Sequence, residues 1–203
     1  VAFDLFHAQG VHATGIDQIL KKAGAGKGQF YHYFRSKDDL LHHVMQQFFA
    51  RLKSGEIPVK QDLRTWKDLE DWFHFFIEAQ KGMGCERSCP IGTIGAEISG
   101  GQGALRRDAC EIFDYARSTL VRFFRAIRRK GDLPKSCDPE ALADFCYAIM
   151  QGGLLVGKIR RDSRAFENAV RHALSHVSSL RSLTRLDFWR GSLALCVSLQ
   201  TSP

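Results

Sequence analysis

The sequence predicts an all-α protein: an N-terminal three-helix helix-turn-helix domain followed by a larger helical domain. Three observations carry this. Apolar residues recur three and four apart along most of the chain, and no segment alternates with the period of two that a strand needs. A break with Gly55 and Pro58, Ser54 to Asp62, divides residues 1–53 from a second helical region at 62–182. The length, 203 residues, suffices for one large or two small domains with a sizeable core.

The elements follow in order. Residues 2–9 read as the remnant of a first helix. Thr14 and Asp17 have capping-box spacing, with Asp in place of the usual Glu. Ile16, Ile19, Leu20 and Ala23 then stand at i, i+3, i+4 and i+7, which predicts one buried face. Gly24 and Gly26 are expected to supply positive φ angles for a tight turn between crossed helices. Phe30 and Phe34 pack back on that face, and Lys27, Gln29, Tyr31, His32 and Tyr33 lie opposite. Ser36 with Asp39 caps a helix over 37–53 with Leu40, Leu41, Val44, Phe48 and Leu52 inward.

In the second domain Leu69, Trp72, Phe73, Phe76, Ile77 and Gln80 mark an amphipathic helix. The loop GMGCERSC follows, with Pro90 at a first helical position and Ile91, Ile94 and Ile98 on a short helix closed by Gly100 and Gly101. Ala104 to Lys130 reads as one long helix whose basic end (Arg125, Arg128, Arg129, Lys130) complements the helix dipole. That charge run reads either as a solvated terminus or as a second nucleic-acid site. Asp138-Pro139 opens a helix with Leu142, Phe145, Cys146 and Ile149 inward and with Gly152, Gly153 and Gly157 further along. A glycine inside a helix costs roughly 1 kcal/mol, which makes sense where another helix approaches closely. Phe166, Val170, Ala173, Leu174 and Val177 share one face of a last helix, Arg164 to Leu180. Residues 183–203, with the apolar run Leu193 to Leu199, form a tail of no assigned role.

The N-terminal pattern, with Gly10, Thr14, Ile16, Ile19, Ala23-Gly24, then Lys27-Gly-Gln-Phe-Tyr-His-Tyr-Phe34 and Ser36-Lys37, resembles the DNA-binding domain of the TetR/AcrR transcriptional regulators over residues 2–41. The bland alternative is a structural hairpin with a solvated face, which gives no reason for three exposed aromatic rings. The resemblance implies that Lys27, Gln29 and His32 face base edges, where lysine suits guanine and glutamine suits adenine. It implies that Tyr31, Tyr33, Lys37 and the Thr14 cap hold phosphates. Gly26 and Gln29 depart from the family, which more often has hydroxyl residues there. Relatives also carry a basic segment before this point, so the N-terminus reads as truncated. In the family the last two helices pair between subunits. Gly153, Val170 and Leu174 are therefore the expected homodimer contacts, although close packing at the glycines would equally serve the subunit itself.

Charge and cysteines narrow the partners. A balance of 29 Lys+Arg against 22 Asp+Glu, net +7, suits a phosphate partner without proving one. His7, His12, His32, His42 and His43 crowd the first domain and would make DNA binding pH-sensitive if they stood near phosphates. Six cysteines at irregular spacing suggest a reducing cytoplasm rather than a disulfide framework. No signal peptide is legible, and no uninterrupted apolar run approaches the ~20 residues that span a bilayer.

Cys89 is the second candidate site. It precedes Pro90 at a helix N-terminus near Arg87, a setting that favours the thiolate. The segment also resembles the subgroup of the N-ethylmaleimide reductase repressor, which implies a cysteine here that answers electrophiles and oxidants. The alternative is a small residue filling a helix junction. Cys85, Cys89, Cys110 and His74 make only a weak zinc pattern, so no metal or other cofactor is expected. No catalytic or nucleotide-binding motif is present. The sequence thus predicts a cytoplasmic, homodimeric repressor on palindromic operator DNA, released by a small-molecule or electrophile effector. The alternative is a helical small-molecule binding protein without working DNA binding.

Overall fold

The computed structural model describes residues 1–198, with side-chain surroundings through residue 181. All regular structure among the described residues is helical: α1 (Ala2–Gln9), α2 (Ile16–Ala23), α3 (Lys27–Tyr33), α4 (Lys37–Ser54), α5 (Trp66–Gly82), α6 (Pro90–Gly95), α7 (Gly103–Arg129), α8 (Pro139–Arg160) and α9 (Arg164–Ser198). The helices begin and end where local chemistry allows. Gly24 closes α2 at φ 65°, its N–H reaching the Leu20 and Lys21 carbonyls. Gly26, expected at positive φ, is instead extended at φ −91° and caps α3 without a side chain. Ser36 Oγ accepts from the Asp39 N–H at 3.1 Å, and Asp39 Oδ2 accepts from the Arg35 N–H at 2.9 Å.

Thr65 and Asp68 form a reciprocal capping box at the start of α5. The Asp68 carboxylate takes the N–H groups of Arg64 and Thr65, each at 2.8 Å, and also the Lys60 ammonium. Thr65→Ala removes the hydroxyl that holds the Asp68 N–H. A loss of about 1 kcal/mol is expected, read as a fall of about 2–4 °C in melting temperature for a chain of this size. A control at an uncapped exposed site should melt unchanged.

Two apolar clusters form the interior. One lies within the C-terminal region around Leu69, Phe73, Leu120, Phe124, Ile127 and Phe166. The other joins Phe6, Leu41, Met45 and Phe49 of the first domain to Ile91 and Ile94 of α6 and Ile112 of α7. The break at 54–62 therefore separates the domains in sequence but not in packing.

Helix α8 packs against α5, α7 and α9. By length and composition it is the one described helix that could cross a bilayer. Here it faces inward with Ala143, Cys146, Met150 and Leu154. Phe145, expected inward, is 37% exposed and meets the His176 ring edge-on at 5.6 Å. Helix α9 runs to Ser198, past the Leu180 end expected from periodicity, so the supposed tail at 183–203 is largely helix and only 199–203 lie outside the described residues.

Candidate nucleic-acid interface and effector cavity

Helix α3 is short, and one buried ring holds it. Phe30 is 4% exposed and packs on Phe34 at 5.4 Å and edge-on to Tyr31 at 5.1 Å. The helix is thereby pinned with Lys27, Gln29, Tyr31, His32 and Tyr33 outward. Tyr31 is 59% and Tyr33 65% exposed, large apolar area left in water although Tyr31 meets Phe30 and Tyr33 meets His32 and Phe34. Lys37 stands half-buried at the start of α4. Lys27 Nζ meets Asp17 Oδ1 at 3.0 Å, an exposed ion pair that must open before the ammonium reaches a base.

Thr14 does not belong to this face. It is fully buried, its Oγ1 donating to the Gly10 carbonyl at 2.6 Å and accepting from Gln9 Nε2 at 3.2 Å. Gly15 takes the cap position of α2, so Thr14 fixes the α1–α2 turn instead of meeting phosphate.

Three of the five N-terminal histidines also face away from DNA. His7 Nε2 lies 2.7 Å from the Ser88 carbonyl, so that nitrogen carries the proton and donates. His12 presents both its backbone N–H and Nδ1 to Glu97 Oε2, at 2.6 and 2.8 Å. His42 Nδ1 lies 2.6 Å from Asp108 Oδ2, and Gln46 Nε2 donates to the other oxygen at 2.9 Å. These contacts tie α1 and α4 to α6, α7 and the segments flanking α6. They are joints between domains, so the condition for pH-sensitive phosphate contact is not met at these three imidazoles. Only His32 stays on the recognition helix.

Between the domains lies an apolar cavity of about 210 Å³. Its wall is shared. His7, Phe48 and Leu52 come from the first domain, and Trp72, Phe113 and Tyr147 are among the contributions of α5, α7 and α8. Burial pushes the His7 imidazole below its ordinary value despite the Ser88 carbonyl, so the ring is neutral at pH 7.

Cys89 is on the same wall, at the N-cap of α6. Its Sγ accepts from the Gly92 N–H and from Gln151 Nε2, each at 3.4 Å. Those donors favour the thiolate, but burial outweighs them and raises the thiol above its ordinary value. The ready ionisation expected from the helix N-terminus is therefore not realised: the sulfur faces the cavity, where water does not stabilise its charge. The partner the sequence did not show is Gln151, 62 positions away in the chain.

The expected dimer residues split. Gly153 is covered by Phe166 of its own chain, and Val170 is 3% exposed in the core, so neither lies on the subunit surface. Leu174 is half-buried beside that core. The apolar side chains α8 does present to solvent are Leu155 (52% exposed), Val156 and Ile159 (72%). No three His, Cys, Asp or Glu side chains gather as a metal site among the described residues, and Cys85, Cys89, Cys110 and His74 are not brought together as one.

Known proteins share this arrangement. The family described as "Bacterial regulatory proteins, tetR family" matches residues 1–44, and "Tetracyclin repressor-like, C-terminal domain" matches residues 66–173. The chain is 29% identical over 162 residues to the transcriptional regulator AcuR of Cereibacter sphaeroides, covering 74% of this chain and 70% of AcuR. It is 28% identical over 160 residues to the repressor DhaR of a Mycobacterium species, covering 78% and 79%. Among solved structures, a TetR regulatory protein from Rhodobacter sphaeroides superposes with a TM-score of 0.76 at 23% identity, covering 86% of this chain and 93% of that one. The reduced form of Escherichia coli NemR superposes with a TM-score of 0.70 at 24% identity, covering 88% and 93%. The last two establish the shared fold. With both family matches placed on the helix-turn-helix and on the cavity domain, the chain belongs to the tetR family of bacterial transcriptional regulators, DNA-binding proteins and not enzymes.

Proposed function

We propose that this regulator is a cytoplasmic repressor that binds palindromic operator DNA as a homodimer and is released when an effector fills the interdomain cavity. The observation that carries this is the shared wall: a molecule in the cavity touches α1 and α4 of the DNA-binding domain directly. Two recognition helices must stand about 34 Å apart to enter successive major grooves. A small tilt of α1 and α4 in each subunit changes that spacing. The exposed Leu155, Val156 and Ile159 stripe on α8 supports pairing of two subunits, and the free cysteines suit a reducing compartment. The repressor reading also draws on the printed roles of DhaR and NemR.

Salt-resolved anisotropy on a selected operator tests the DNA face. Lys37→Ala should weaken specific and non-specific DNA alike and flatten the salt slope by about one unit, as loss of one phosphate contact does. Gln29→Ala should change base preference at one position per half-site. Equal salt slopes for Lys37→Ala and the parent would remove Lys37 from the interface.

An electrophile acting at Cys89 is a second route to release, supported by the position of Sγ on the cavity wall. Because burial raises this thiol, labelling by N-ethylmaleimide should be slower at Cys89 than at the exposed Cys110 at pH 7 and should quicken as pH rises. Cys89→Ser should keep operator binding and lose release by maleimide. Release that survives Cys89→Ser would remove Cys89 as the responding thiol.

A further inference from the structure

The far end of α7 borders a second cleft, open to solvent and about 610 Å³ in volume, within the range of small-molecule sites. Arg122, Arg125, Arg128, Arg129 and Lys130 line it, with Arg64 from the segment before α5. Asp62 is the one carboxylate on this lining among the described residues, and Arg64 takes it at 2.5 Å. Arg125 pairs with Glu140 of α8, which does not line the cleft. Arg122, Arg128, Arg129 and Lys130 have no carboxylate partner among the described residues.

A basic helix end is ordinary where the dipole favours cations, but that effect is confined to the last turn. Arg122 and Arg125 lie before that turn. Arg125 and Arg129, at i and i+4, repel each other on one face. Arg122 is nonetheless held in place. One terminal nitrogen donates to Ser118 Oγ at 2.7 Å, and the other donates to the Gln61 carbonyl at 3.1 Å and to Thr119 Oγ1 at 3.2 Å. Thr119 Oγ1 in turn donates to Gln61 Oε1 at 3.0 Å. Arg128 gives an N–H to the Cys137 carbonyl at 3.0 Å. All these acceptors are neutral. They fix the guanidinium groups without cancelling their charge, and Arg122 keeps two of its five N–H donors for a ligand. Hydrogen bonds from a fixed guanidinium to phosphoryl oxygens are among the strong ones.

Spacing selects the ligand. Arg122 and Arg129 are about 10 Å apart along the helix axis, more than a single phosphate or carboxylate spans. Position excludes the operator. Helix α7 meets the DNA-binding domain at Leu105, Ala109 and Ile112, and the basic run begins about 15 Å further along the helix. We propose that this cleft binds a small molecule bearing a chain of two or three phosphoryl groups, which bridges Arg122 and Arg129.

Isothermal titration of the full chain, without DNA, with sodium tripolyphosphate and with orthophosphate tests it, at pH 7 and a fixed ionic strength of about 0.15 M. Expected is one tripolyphosphate per chain, bound at least about tenfold tighter than orthophosphate, since only the longer anion engages two fixed arginines at once. Arg129→Glu loses no partner in the subunit and reverses one charge. It should weaken tripolyphosphate at least about tenfold, as loss of a hydrogen bond between charged groups does. Arg122→Gln should do the same, and Lys37→Ala, on the DNA-binding domain, should bind tripolyphosphate as the parent does. A nucleic-acid backbone carries the same phosphoryl groups, so a short duplex without operator sequence is titrated against the tripolyphosphate complex and should leave it in place. Displacement by the duplex would make the cleft a nucleic-acid site and overturn the proposal. So would orthophosphate matching tripolyphosphate, no binding of either, parental affinity in Arg129→Glu, or an equal loss in Lys37→Ala.

Discussion

Gly153→Leu is expected to unfold the C-terminal region rather than merely separate two subunits. A Cβ at position 153 would stand 2.0 Å from Phe166 Cδ2 and 2.5 Å from Cγ. Phe166 is fully buried, so its ring has nowhere to go without moving α9. Overpacking a tight core typically costs 1–3 kcal/mol, and overlap of this size with a buried ring should reach or exceed the top of that range. Against a total stability of about 5–15 kcal/mol, the urea midpoint should fall sharply. Gly152→Leu is the control. The position is exposed with nothing within 4 Å. Replacing a helical glycine there should cost nothing and gain up to about 1 kcal/mol. A wild-type midpoint for Gly153→Leu would contradict the close approach of α8 and α9.

The second large effect concerns DNA. The double variant Tyr31→Ala, Tyr33→Ala should leave the melting temperature nearly unchanged, because both rings are more than half exposed. It should weaken operator binding about 10- to 100-fold, as loss of one or two hydrogen bonds to charged phosphates would. Anisotropy and thermal melting on the same preparation separate the two effects. A fall in melting temperature as large as the loss of binding would mean that the rings hold the fold.

The helices and their order were legible because each amphipathic face writes its own 3.6-residue period into the chain. The turn at Gly24 was legible for the same local reason: a left-handed residue at a helix end favours glycine. Legibility stopped where a residue has two local uses and distant packing chooses between them. Thr14 has cap spacing with Asp17, yet it sits in a closed turn and bonds Gly10. Phe145 fits the inward stripe of α8 as well as its neighbours do, and a small shift of phase puts Ala143 and Met150 inside instead. Gly153 marks a close helix approach, and the sequence alone does not say whether the approaching helix is its own or a partner's. The cavity was least legible of all. Its polar features pair Cys89 with Gln151 and Gln80 with Leu154, and nothing local to either member names the other. The role of His12 and His42 was hidden for a related reason: their partners, Glu97 and Asp108, lie far along the chain.

The coupling of cavity to DNA can be tested without knowing the effector. Ala116 lies on α7 and lines the cavity, so Ala116→Trp would place a permanent aromatic occupant in the space that His7, Phe48 and Leu52 also line. The measurement is operator affinity by anisotropy, on protein shown by circular dichroism to be folded. Expected is operator binding weaker by about 5- to 150-fold, the range that 1–3 kcal/mol of coupling gives, with non-specific DNA binding unchanged. A folded variant whose cavity is filled and which binds operator as tightly as the parent would contradict the claim that the shared wall carries the signal.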